Sequence, residues 1–230
     1  MELEGKIVAV TGGFGSLGRA VIAAARAAGA QTIAIDRAAP PAEPAPALAG
    51  SRLYGGVDLA APGAAEALFA EIGRGGGLDA LVNVAGGFRW ETLEAGSLET
   101  WDFLYGLNLR TAVAASRAAL PLLLARGGGI VNIAAGAALK AGAGLGAYAA
   151  SKAGVARLTE ALAEELKDRG VTVNAVLPSI IDTPPNRHDM PDADFGRWVR
   201  PEQLADVIVF LLSARAAAIT GALIPVSGRV

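Results

Sequence analysis

Ile7-Val8-Ala9-Val10-Thr11-Gly12-Gly13-Phe14-Gly15-Ser16-Leu17-Gly18 is the stretch on which the fold is decided. Four apolar, mostly β-branched residues read as a buried strand, and the Ala-rich segment Ser16–Ala28 has helical periodicity. The residues between them are a glycine turn, Gly13-x-Gly15-x-x-Gly18. In a strand-turn-helix setting one glycine allows a tight turn, one lets the backbone approach a pyrophosphate, and one lets the helix pack closely on the strand. The helix N-terminus adds free N–H groups and the positive end of a dipole. With 30 glycines in the chain the pattern alone says little, and its position after the first strand gives it force.

The same alternation continues outward. Further strands are expected at Thr32–Ile35, Leu53–Val57, Ala80–Val84, Ile130–Ile133, Val171–Leu177 and Leu223–Val226. Helices are expected near Pro62–Ile72, Leu98–Ala125, Tyr148–Lys167 and Pro201–Leu212, with Gly29 and Gly170 at helix C-caps. Strands alternating with helices predict right-handed βαβ units, hence an α/β fold: a doubly wound, Rossmann-type parallel sheet of about seven strands with helices on both faces. Residues 1–230 read as one such domain. Two segments break the rhythm. Ala38–Gly50, with Pro40, Pro41, Pro44 and Pro46, reads as an extended surface loop. Pro178–Arg200 is polar and follows a strand carboxyl end, where ligands of open α/β sheets bind, so 178–200 is the expected substrate loop.

Composition removes several classes of function. The chain has no cysteine, which excludes disulfides, thiol catalysis and cysteine-bound metals or clusters. A single histidine, His188, excludes any site needing two imidazoles, no G-x-S-x-G element is present, and nothing points to a metal site. Twenty basic against 22 acidic residues give a net charge of −2, so nucleic acid is not an expected partner. The mean hydropathy of +0.42 invites a membrane reading, yet no uncharged apolar run reaches the roughly 18 residues of a span. Nothing at the start of the sequence resembles a signal peptide, and a cytoplasmic protein acting on a small molecule is the expectation.

Asp36 closes the second strand at close to the separation of about 20 residues expected for a ribose-binding acid. Its carboxylate accepts from ribose hydroxyls and repels a 2′-phosphate, so NAD(H) is preferred. NADP(H) stays open because the adjacent Arg37 guanidinium can hold a phosphate. Asp58, past the third strand, faces adenine or caps the following helix.

Tyr148 and Lys152 stand i, i+4 on one helix face. An ammonium beside a phenol lowers its pKa from about 10, which would let Tyr148 pass a proton to a carbonyl oxygen or take one from an alcohol. Y-x-x-x-K is common by chance and gains meaning from its surroundings.

Those surroundings occur in order: the glycine turn, Asp36, Asp58-Leu59, Asn83-Val84-Ala85-Gly86, Asn108, Tyr148-Ala149-Ala150-Ser151-Lys152 and Asn174-Ala175-Val176-Leu177-Pro178. Along its whole length the chain resembles the short-chain dehydrogenase/reductase family. The resemblance implies a seven-stranded Rossmann fold, a homodimer or homotetramer, and a nicotinamide dinucleotide held by Gly12, Gly13, Phe14, Gly15, Leu17 and Gly18. It further implies that Asn83, Ala85 and Gly86 lie by the adenosine ribose with Asp58 and Leu59 nearby, and that Lys152 holds the nicotinamide ribose. Asn108 would support a proton relay, and Pro178, Ile181 and Thr183 would flank the nicotinamide end. The structural alternatives are that Asn83 ties strands together and that Asn108 satisfies a helix kink.

The chain departs from that family's pattern in three places. The middle glycine of the turn comes one place early, at Gly15, and Ser179 follows Pro178 where glycine is usual. Most consequentially, Ala135 occupies the position of the family's catalytic serine. Losing one such donor commonly costs on the order of 10²–10³ in rate. Three explanations stand open: a cofactor-binding sensor or scaffold with weak catalysis, a substitute donor at Asn132 or Lys140, or a substrate that does not need the donor. Local similarity of Asp182–Trp198 to the corresponding loop of quinonoid dihydropteridine reductase, which also lacks the serine, favours the third. Such a substrate is an electron-poor ring, and the overall expectation is hydride transfer to or from a small ketone, an alcohol or such a ring. Phe88, Trp90 and Trp198 are the candidates for a flat apolar slot around it, or else are core or subunit-contact residues.

Overall fold

The computed structural model describes residues 1–43 and 45–230. In chain order its elements are β1 (Ile7–Thr11), α1 (Ser16–Ala27), β2 (Gln31–Ile35), β3 (Arg52–Tyr54), α2 (Ala64–Arg74), β4 (Ala80–Asn83) and α3 (Leu98–Leu104). There follow α4 (Thr111–Arg126), β5 (Gly128–Ile133), α5 (Gly146–Leu166), β6 (Val171–Pro178), α6 (Pro184–Asp189), α7 (Pro201–Leu212) and β7 (Leu223–Val226).

The strands form one seven-stranded parallel sheet in the order β3-β2-β1-β4-β5-β6-β7. The order reverses between β1 and β4, so the loops leaving their carboxyl ends diverge and leave a crevice there. Period-two alternation splits each strand between two cores. Val8 and Val10 of β1 pack with Val21 and Ile22 of α1 and Leu204 and Ile208 of α7. Ile7 and Ala9 face the opposite side, against Phe69 and Ile72 of α2, Leu123 of α4 and Leu162 of α5. All five residues of β1 are buried, as a strand covered on both faces must be.

Two expectations need correction. The segment expected as one helix, Leu98–Ala125, is interrupted: between α3 and α4 the turns widen into a π-helical stretch over Tyr105–Arg110. A π-turn inserts one extra residue per turn and re-aims the side chains it carries, frequently at functional sites. Here it turns the polar Asn108 inward, where it is buried, and the Thr111 hydroxyl caps the freed carbonyl of Gly106 at 3.0 Å. The substrate loop is also more regular than its prolines suggested. Thr183 accepts the Asn186 N–H and Pro184 opens α6, a proline placement that starts helices because the missing N–H has no partner there anyway. In the first proline-rich loop Pro44 lies outside the described residues, and Pro46–Leu48 forms a single tight turn that buries Leu48.

The candidate active site

A cleft of about 1550 Å³ runs across the carboxyl ends of β1, β2, β4, β5 and β6. Gly12, Gly15, Leu17 and Gly18 form its floor. Gly12 has φ +64°, and a Cβ there would come within 2.9 Å of the Ala85 backbone. A Cβ on Gly18 would lie 2.1 Å from the Gly12 carbonyl oxygen, so only glycine lets α1 begin this close to the turn. Gly15, the α1 N-cap, presents open backbone to the cleft. Gly13 and Phe14 do not line it. Gly13 is buried under Ala34, whose Cβ would lie 2.8 Å from an added methyl, and the Phe14 ring packs into the core beside α1.

Asp36 reaches back to this turn. Its Oδ2 accepts the Phe14 N–H at 3.0 Å and its Oδ1 accepts the Ala38 N–H at 2.9 Å, which holds the carboxylate at the cleft's edge. Arg37, Asp58 and Leu59 line the same end. Asp58 also accepts the Ala60 N–H at 3.0 Å, so it caps the turn that follows it.

On the opposite wall Ala85 and Gly86 line the cleft, and the Ala85 N–H donates to the Thr11 hydroxyl at 3.1 Å, tying the β1 and β4 loops together. Thr11 was visible in the sequence only as a neighbour of the glycines. Asn83 is not in the cleft. It is buried within the sheet, where its Nδ2 donates to Ser116 at 3.0 Å and Asn132 at 2.8 Å. It therefore takes the strand-tying alternative. Asn132 continues the same chain to Thr159 at 2.8 Å, and Lys140 is exposed and off the cleft, so neither stands in for the missing serine hydroxyl.

Asn108 sits directly beneath the Gly86–Gly87 turn. It accepts the Gly87 N–H at 2.8 Å and donates to the Gly87 carbonyl at 3.1 Å and to Ser151 at 2.9 Å. Ser151 in turn donates to the Tyr148 carbonyl at 2.7 Å. Lys152 is buried, and its Nζ donates to the carbonyl of Ile133, the last residue of β5, at 2.8 Å. A Cβ placed on Gly86 would lie 2.7 Å from Asn108 Oδ1 and 3.2 Å from Lys152 Nζ, which shows how closely turn, amide and ammonium converge. Tyr148 and Ala135 line the cleft above them.

Burial moves the Tyr148 phenol in the direction opposite to that expected from the pair alone, up to about 12, and it pushes the Lys152 ammonium down to about 8. Tyr148 therefore holds its proton at neutral pH.

Pro178, Ile181 and Thr183 close the cleft together with Pro185, Asn186 and Met190 of the α6 region. Of the three aromatic candidates, Phe88 and Trp90 line it and Trp198 does not. Trp198 is 6% exposed and packs on Phe195 with ring centroids 4.8 Å apart, so it supports the base of the substrate loop. The α6 lining was hidden by reading its prolines as loop, although Thr183-Pro184 is itself a helix-start signature.

The glycine floor at the α1 N-terminus and the anchored acid at the end of β2 fit the phosphates and a ribose of a dinucleotide.

Comparison with known proteins places the chain in context. Residues 12–228 match the family model described as "Enoyl-(Acyl carrier protein) reductase". The chain is 37% identical over 245 residues to a D-threitol dehydrogenase of Mycolicibacterium smegmatis, covering 99% of this chain and 93% of that protein. It is 31% identical over 245 residues to the 3-oxoacyl-[acyl-carrier-protein] reductase FabG of Thermotoga maritima, covering 99% and 98%. A solved short-chain type dehydrogenase/reductase from Mycobacterium ulcerans superposes with a TM-score of 0.90 at 25% identity, covering 100% of this chain and 90% of that one.

Proposed function

Because the chain belongs to the short-chain dehydrogenase/reductase family, we propose that it is an NAD(H)-dependent oxidoreductase in which Tyr148 is the general acid/base at a carbonyl or alcohol oxygen. The observation that carries this reading is the convergence of Tyr148, Lys152, Asn108 and Gly86 on one end of the glycine-floored cleft. A reduced nicotinamide supplies hydride when bound, and an oxidised one supplies a positive charge.

The protein's own residues do the rest. Tyr148 keeps its phenolic proton at neutral pH and donates it as negative charge develops on the substrate oxygen. Lys152, held on the Ile133 carbonyl, keeps a positive charge close to the reacting end and lowers the cost of the phenolate. Asn108 braces the Gly87 backbone and, through Ser151, the first turn of α5, which sets where Tyr148 stands.

Preference for NAD(H) over NADP(H) is supported by Asp36, whose two backbone hydrogen bonds keep its charge where a 2′-phosphate would sit. Ala135 narrows the substrate to one that tolerates a single donor, an electron-poor ring or an activated ketone rather than an inert one. A quinonoid dihydropterin belongs in the test panel for that reason. Among the described residues no helix is long and apolar enough to cross a membrane.

The test is Tyr148→Phe. The variant is expected to fold and to bind NADH while losing at least about 10²-fold in turnover on a panel of ketones, quinones and pterins. Turnover equal to wild type would remove the mechanism. NADH binding with no turnover of any panel member by the wild-type protein would replace it by a sensor or scaffold.

A further inference from the structure

We infer that Phe88 and Trp90 form a stacking wall that selects a flat, conjugated carbonyl ring of quinone type over a saturated ketone. This inference rests on the reading of Tyr148 as the proton donor and specifies what it receives.

Trp90 is fixed rather than free. Its Nε1 donates to the Ala143 carbonyl at 3.0 Å, and the next residue, Glu91, donates its N–H to the Gly144 carbonyl at 2.9 Å. Gly144 has φ +74°, and a Cβ there would lie 2.2 Å from Trp90 Cε2, so the indole rests directly on bare backbone. Position 144 thus requires glycine twice, for its conformation and for the ring above it. With the N–H already engaged, what Trp90 offers the cleft is π surface, and it stays 61% exposed. Phe88 stands edge-on to Tyr148, with ring centroids 5.0 Å apart and planes at 82°, and is 55% exposed. One open aromatic ring beside the reacting phenol and a second on the lining of the same cleft are a receptor for an apolar ring that enters with the reacting oxygen.

The hydrogen-bonding inventory points the same way. Ser179 donates its hydroxyl proton to the Ser227 carbonyl at 2.7 Å, Asn186 donates its amide to the Ile181 carbonyl at 2.7 Å, and the Thr183 hydroxyl caps α6. Ala135 contributes no donor. Arg89, Asp102 and Asp189 are charged side chains on the same lining, and with the hydroxyls above engaged a saturated ketone at this end has Tyr148 as its hydroxyl donor. A conjugated ring spreads the developing charge over its own atoms and needs no second donor, while its faces find Phe88 and Trp90.

The experiment measures binding to the protein without cofactor by equilibrium dialysis, comparing 1,4-naphthoquinone with decalone, its saturated bicyclic counterpart. With no cysteine in the chain, the quinone has no thiol to alkylate. Naphthoquinone is expected to bind at least about tenfold more tightly than decalone, with Trp90→Ala reducing its affinity by roughly tenfold and decalone's by threefold or less. Trp101→Ala, outside the cleft, is expected to leave both unchanged. Equal affinities for naphthoquinone and decalone would overturn the stacking wall. So would an emission that shifts to the blue with protein concentration alone in a Trp101→Phe/Trp198→Phe variant, where Trp90 is the one remaining indole, because a second copy would then be covering the wall. NADH affinity, measured on the same samples, separates this failure from failure of the enzyme reading: the wall falls alone if NADH still binds, and both fall if it does not.

Discussion

Replacing Lys152 with methionine should make the protein more stable at neutral pH while destroying its activity. Lys152 is buried, and burial alone lowers its pKa from 10.5 to about 8. A change of that size, at about 1.4 kcal/mol per pH unit, is worth roughly 3 kcal/mol of destabilisation whenever the ammonium is charged in the native state. Methionine has nearly the same reach and carries no charge. It gives up the hydrogen bond to the Ile133 carbonyl, which returns about 1–2 kcal/mol of the gain. The net expectation at pH 7 is a stabilisation of about 1–2 kcal/mol, read in urea as a midpoint rise of roughly half to one molar.

The pH dependence makes the assignment specific. Between about 8 and 10.5 an unfolded chain still holds the proton that native Lys152 has released. Wild-type stability therefore rises with pH through that window relative to the variant. By pH 9.5 the penalty has shrunk by about 2 kcal/mol, and Lys152→Met should have lost its advantage. Urea melts of both proteins at pH 7 and 9.5 decide the matter. A variant less stable than wild type at pH 7, or a difference that does not move with pH, would refute the idea that an uncompensated buried charge is held at this position.

Two further outcomes follow from the hydrogen-bond pattern. Asp79 is buried, accepts the Ile7 N–H at 2.8 Å, and meets Arg126 at 3.2 Å and Lys6 at 3.8 Å, so Asp79→Ala orphans a buried donor at the head of β1. A loss of about 2–4 kcal/mol is expected in thermal or urea denaturation, with NADH affinity in the surviving folded protein nearly unchanged. Asp36→Ala removes the charge at the ribose end, so the ratio of NADPH to NADH dissociation constants should fall by about tenfold or more in titrations of both nucleotides. A ratio that stays put would shift the selection to Arg37.

The chemistry-bearing residues were legible wherever a local pattern expressed a local need. Gly12 and Gly18 tolerate no side chain because backbone lies within 3 Å of where a Cβ would be, and that constraint is written into twelve consecutive residues. Tyr148 and Lys152 share a helix face because four residues make about one turn. The substrate-loop helix was half legible, since Thr183-Pro184 announces it while the surrounding prolines disguise it. Of the π-helical stretch at Tyr105–Arg110 only a kink at Asn108 was legible, as an open alternative, because its cause, the pull of Asn108 toward Gly87 and Ser151, comes from residues distant in sequence.

By itself, then, the sequence determined the parallel α/β sheet, the glycine turn, the acid at the end of β2, the tyrosine–lysine pair and the missing hydroxyl at Ala135. Each of these depends on alternation, spacing or residue type, quantities a linear chain carries. Tertiary structure alone decided that Asn83 and Asn132 join a buried ladder and that Trp198 props a loop while Trp90 opens on the cleft. It also decided that burial drives Tyr148 up and Lys152 down. The physical reason is the same in every case: the partner of a buried polar group, the exposure of an aromatic ring and the desolvation of a charge are set by what folds over them, and those neighbours come from elsewhere in the chain.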